Sequence, residues 1–104
     1  MNIYKKKRKR SLQEKITPEK QMLFDELCNT MRKLGVEVRL ESGRFAGGYC
    51  IVDDRQFFYI NKNNLIDYNI DLLISQLKLM DIENVFLSPR VRLQLEQKAI
   101  DMRG

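Results

Sequence analysis

Residues 36–60, VEVRLESGRFAGGYCIVDDRQFFYI, decide the fold. Val36, Val38 and Leu40 alternate with Glu37, Arg39 and Glu41, the period-two pattern of a strand with one dry face and one wet face. Ser42-Gly43 reads as a hairpin turn. Arg44 to Val52 then predicts a second strand, apolar on both parities: Phe45, Tyr49 and Ile51 on one, Ala46, Cys50 and Val52 on the other. Asp53, Asp54 and Arg55 turn the chain again, because short acidic side chains bond their own backbone in turns. Gln56 to Ile60 forms a third strand, with Phe57 and Tyr59 on one side and Phe58 and Ile60 on the other. Three strands joined by short turns predict an antiparallel meander.

Helices flank this core. Thr17-Pro18 is an N-cap hydroxyl followed by proline at the first helical position. Leu23, Phe24, Leu27, Cys28, Met31 and Leu34 follow at helical spacing, and Gly35 stands where a left-handed C-terminal cap is wanted. The stripe should meet Val36, Val38 and Leu40. After the polar Asn61 to Asn64, a second helix runs from about Ile66 to Met80 on Ile66, Ile70, Leu73, Ile74, Leu77 and Met80, capped by Asn64 or Asp67. Ser88-Pro89 opens a last helix carrying Val91, Leu95 and Ala99. The expectation is an α+β fold, α-β-β-β-α-α, with the meander packed against helices. It comprises a single domain over 17–104 and a basic, flexible arm over 1–16.

The charge supports that division. Lys5, Lys6, Lys7, Arg8, Lys9 and Arg10 hold six of the 19 basic residues. The other 98 residues carry 13 basic against 14 acidic side chains, so a near-neutral body bears a cationic arm. Six like charges in a row repel one another and cannot join a packed segment. Ser11 and Glu14 have capping-box spacing, but Leu12 and Ile16 give a helix there little to bury. The chain has no histidine, which removes His-based acid–base catalysis, Ser-His and Cys-His nucleophiles, and most zinc and haem ligand sets. Cys28 and Cys50 form no CxxC and read as two reduced core thiols, with a disulfide as the alternative. Asp53-Asp54 reads as a turn and not a metal site. Gly43, Gly47 and Gly48 lie between strands without a helix N-terminus behind them, so they mark a bulge or a close backbone approach and not a phosphate cradle. No apolar run exceeds four residues, so no segment spans a membrane, and the basic start is not followed by the apolar core of a secretory leader. No catalytic residue, metal ligand or cofactor site is legible, and the expectation is a non-enzymatic, cytoplasmic protein.

The strand ending in Tyr59-Ile60-Asn61, followed by a short polar link and an apolar helix, resembles in layout the core of small gluzincin metallopeptidases of the ImmA/IrrE kind. In that family the helix carries HExxH. The equivalent turn here, Ile74-Ser75-Gln76-Leu77-Lys78, has neither ligand histidine nor catalytic glutamate. The resemblance implies a metal-free relative kept for binding, and no functional residue carries over.

Two surfaces remain. The run Lys5 to Arg10 attracts phosphate by charge and counterion release, without needing structure. It predicts association with nucleic acid, structured RNA or a ribosome foremost, with Arg90 and Arg92 at the last helix start as further basic contacts. A solubilising tail, a nuclear address or an anionic membrane surface are the competing readings of the run. Phe45, Tyr49, Phe57 and Tyr59 offer an aromatic sheet surface that is covered by helices, or presented to a protein partner or a second copy, or stacked on bases.

Overall fold

The computed structural model describes residues 16–103; the arm from Lys5 to Arg10 and the Ser11–Glu14 pair lie outside them. Thr17 Oγ1 accepts the Lys20 amide at 3.1 Å and Pro18 takes the first helical position, which starts helix α1 (Pro18–Lys33) as its sequence requires. Gly35, at φ 86°, reverses the chain after α1 into strand β1 (Val36–Glu41). Strands β2 (Gly48–Val52) and β3 (Arg55–Asn61) follow, then helices α2 (Ile66–Leu77) and α3 (Pro89–Arg103). The class and element order are those of the sequence reading, α+β with α-β-β-β-α-α.

The sheet topology is not. The strand order is β1-β3-β2, with β3 in the centre, antiparallel to β2 but parallel to β1. Ser42-Gly43 is therefore not a hairpin turn, and β2 starts at Gly48 and not at Arg44. Residues 42–47 instead cross the end of β3 from one edge of the sheet to the other. Only β2 and β3 form a hairpin, closed by Asp53 and Asp54 with φ of 51° and 67°, the two positive angles of a type I′ turn.

Asn61 explains the crossing. Its side-chain nitrogen donates to the carbonyls of Gly43 at 2.9 Å and Phe45 at 2.6 Å, which ties the crossing segment to the end of the central strand. Its Oδ1 accepts the Asn63 amide, and its backbone carbonyl accepts Asn69 Nδ2 from α2. Asn64 Nδ2 donates to Ala46 O at 3.1 Å, so Asn64 fastens the same segment and does not cap α2. The N-cap position of α2 is Leu65, without a side-chain bond; Asp67 lies in the first turn. At Gly47, φ 101°, an added Cβ would sit 2.7 Å from the backbone oxygen of Tyr59. The crossing segment lies too close to β3 for any side chain there, the close backbone approach that the glycines imply.

Both α1 and α2 pack on one face of the sheet, joined by α3. The core comprises Leu23, Leu27 and Met31 of α1, Leu73, Ile74 and Leu77 of α2, Val91 and Leu95 of α3, with Val36, Phe58 and Ile60 from the sheet. Leu27, Met31, Leu73, Leu77 and Val91 are fully buried. Burial declines along β1, from Val36 at 2% exposure to Leu40 at 43%. Leu40 lies on the same face as Val36 and Val38 and lines surface clefts with Phe24 and Cys28 of α1, at the rim of the core. Ser88 Oγ accepts the Val91 amide and also donates to Glu26 Oε1 at 2.8 Å, fixing the start of α3 against α1.

Both cysteines are free, but only Cys28 is a core thiol. Burial pushes its pKa from 9.0 to about 11. Cys50 is half-buried and outside the core, because β2 is an edge strand and, among the described residues, no helix lies over the Cys50 side of the sheet.

Asn61→Ala removes both bonds to the crossing segment and leaves carbonyls without donors. It is expected to cost about 2–4 kcal/mol in denaturant unfolding, at one lost hydrogen bond and one unsatisfied group at least. Cys28 gives a pH signature. Its folded pKa lies above its unfolded one, so its contribution is complete below pH 9.0 and is lost as pH rises towards about 11. The loss amounts to about 2–3 kcal/mol at 1.36 kcal/mol per unit. Unfolding curves across that window should fall more steeply for the wild type than for Cys28→Ala, and equal slopes would place the thiol in a wetter environment.

Candidate functional site

The strand alternation sends Glu37, Arg39 and Glu41 of β1, Phe57 and Tyr59 of β3, and Gly48, Cys50 and Val52 of β2 to the sheet face opposite the helices. Parallel pairing sets Glu37 beside Phe57 and Arg39 beside Tyr59, while antiparallel pairing sets Cys50 beside Phe57. The rings of Phe57 and Tyr59, two residues apart on the central strand, stack with centroids 6.0 Å apart and planes inclined by 30°. Two guanidinium groups lie over Phe57, Arg39 at 5.6 Å and Arg55 at 5.2 Å from the ring centroid. Glu37 holds both: its Oε2 accepts Arg39 Nε at 2.6 Å and its Oε1 accepts Arg55 Nη2 at 2.8 Å. The hydrogen bond from Arg39, then the charges of Arg39 and Arg55, hold the Glu37 carboxyl below its usual value, and the same bond raises Arg39.

This cluster answers how the second face of the sheet is closed. Phe57 is only 7% exposed, yet it does not belong to the helical core. Its described neighbours on this face are the Tyr59 ring and the two guanidinium groups. The face is therefore a thin layer of aromatic and charged groups: one buried ring, one half-buried ring, two arginines and two glutamates, with the arginine side chains 44% and 66% exposed.

Of the four aromatic residues that the sequence grouped as one surface, the structure brings two together. Tyr49 is on the helical face, where its hydroxyl and Gln56 Oε1 lie 2.6 Å apart and its ring packs against the core. Phe45 is half-buried in the crossing segment, close to Gly43. Arg90 donates to Glu26 Oε2 at 3.0 Å and so joins α3 to α1, leaving Arg92 as the exposed cation of that pair. The residues that sequence reasoning missed are Arg39, Arg55 and Glu37. Their parity was legible in the β1 alternation, but their meeting over Phe57 depends on β1 lying next to β3, which a meander does not allow.

Among the described residues no group of three or more His, Cys, Asp or Glu side chains is placed to hold a metal ion, and no helix is long and apolar enough to cross a membrane. Compared with protein-family models, with curated proteins and with solved structures, the chain finds no match.

Proposed function

We propose that this chain is a non-enzymatic accessory protein of the cytoplasm that associates with RNA, structured RNA or a ribosome foremost. Lys5 to Arg10 hold the phosphate backbone, and the open sheet face meets exposed nucleotides. The observation that carries this reading is the half-buried Tyr59 ring beside Phe57 and two guanidinium groups, on the central strand of a face that no helix of the described residues covers. Aromatic rings and arginine planes on an open sheet are the groups on which unpaired bases stack. On the face itself Glu37 and Glu41 balance Arg39 and Arg55, so the arm supplies the attraction and the face supplies the choice of site. A phosphate that reaches Arg39 or Arg55 competes with Glu37 for their donors.

Fluorescence anisotropy with a structured RNA bearing a single-stranded loop, read against salt, tests the reading. The full chain should give a log–log slope of about −4 to −5, from six contacts at 0.7–0.9 each. Deleting residues 1–10 should abolish most of that slope. Tyr59→Ala should weaken loop binding about tenfold while leaving the slope unchanged, in line with a lost stacking contact of 1–3 kcal/mol. An arm-deleted chain that binds with the same affinity and salt dependence would refute the assignment. Glu37→Gln supplies an independent check. It keeps the side-chain shape and releases two guanidinium groups, so RNA should bind more tightly and the slope should steepen by about one to two contacts. Stability should change little, since solvent screens these exposed ion pairs.

A further inference from the structure

The two edges of the sheet are built differently. The β1 edge carries Glu37, Arg39 and Glu41 among its six residues, the charged pattern that prevents one sheet from pairing with another. The β2 edge, Gly48–Val52, has no charge and no proline, and Ile51 and Val52 stand 60% and 51% exposed on it. The two-residue turn at Asp53-Asp54 makes Val52 and Arg55 a hydrogen-bonded pair, and so Cys50 with Phe57 and Gly48 with Tyr59. The backbone N–H and C=O groups of Tyr49 and Ile51 consequently point away from β3, towards an edge on which no other described strand lies.

We propose that β2 is the interface of a two-fold homodimer, in which the β2 strands of two copies pair antiparallel about Cys50 and the two sheets become one of six strands. A two-fold axis at Cys50, the middle residue of β2, is the register that pairs all five residues. It sets the outward groups of Tyr49 against those of Ile51 in the second copy, an aromatic and a β-branched side chain side by side. It sets Val52 over Gly48 of the second copy, where a Cβ would meet nothing within 4 Å, so the valine has room that its own sheet leaves empty. Backbone groups and side-chain volumes are thus complementary in one register, and the occupant they fit is another copy of this strand.

The register has a chemical signature. The two Cys50 residues form a non-hydrogen-bonded pair, with Cα atoms about 4.5 Å apart, inside the range that a disulfide spans. Diamide can take up the two electrons and two protons released when two thiols join, and so trap that pair. Full-length protein, nuclease-treated and held in high salt so that RNA cannot bridge copies, is measured by sedimentation equilibrium and then oxidised. The expected result is twice the 12.4 kDa chain mass, a diamide-trapped dimer that Cys50→Ser abolishes, and one that Cys28→Ala retains. Ile51→Lys, at an exposed position the fold does not need, should return the protein to monomer with its circular dichroism unchanged. A monomer at all micromolar concentrations, a dimer that survives Ile51→Lys, or a dimer that diamide does not trap through Cys50 overturns the proposal. These measurements are made without RNA, so their outcome is separate from the RNA reading.

Discussion

The side chain of Asn61 is the constraint on which the rest of the molecule depends. It stands at the end of the central strand, 2% exposed, and a buried amide must find partners for its donors and acceptor. It finds them in the carbonyls of Gly43 and Phe45, in the Asn63 amide and, through its own carbonyl, in Asn69. The Lys62 amide adds a bond to Glu41 O at 2.8 Å, extending the β1–β3 pairing by one residue. A crossing segment pinned in this way forces β2 to the far side of β3, leaves β1 parallel to β3, and delivers the chain to α2 at a fixed point.

From that placement the two faces of the sheet acquire different chemistry. The face towards α1 and α2 takes Val36, Val38, Phe58, Ile60 and Tyr49 into the main core, directly or against its rim. Among the described residues the other face has no helix, and Phe57 would be wetter there if β1 were not next to β3. Because it is, Arg39 and Arg55 reach across the ring, and Glu37 keeps them there by charge and hydrogen bonds. The arginine stems keep water from the ring while the guanidinium groups stay hydrated, a cheaper closure than a further helix and one that leaves ligand-sized chemistry at the surface.

The same topology leaves the sheet with two unequal edges. Placing β3 in the centre gives the strand with the bulkiest apolar side chains two partners and leaves the charged β1 and the uncharged β2 outside. In the order expected of a meander, β2 would have been the protected central strand, and its lack of charge would call for no comment. On an edge, that composition is a liability unless something pairs with it.

Much of this architecture was legible in the residues. Thr17-Pro18, Gly35 and Ser88-Pro89 marked helix ends because capping chemistry is local, and the stripe of Leu23, Leu27 and Met31 marked its buried face because helical periodicity is local too. The β1 alternation correctly assigned Glu37 and Arg39 to the wet side, and the absence of histidine restricted the chemistry before any coordinates. Strand order was not legible: Ser42-Gly43 is as good a turn as many hairpins have, and the bonds that forbid it there come from Asn61, 18 residues away. The meeting of Arg39 and Arg55 over Phe57, the exposure of Cys50 and the free edge of β2 all follow from that order. Sequence by itself determined what each segment is and which of its sides avoids water; only the tertiary structure decided which segments are neighbours, because hydrogen bonds between distant residues, and not local periodicity, choose among sheet orders.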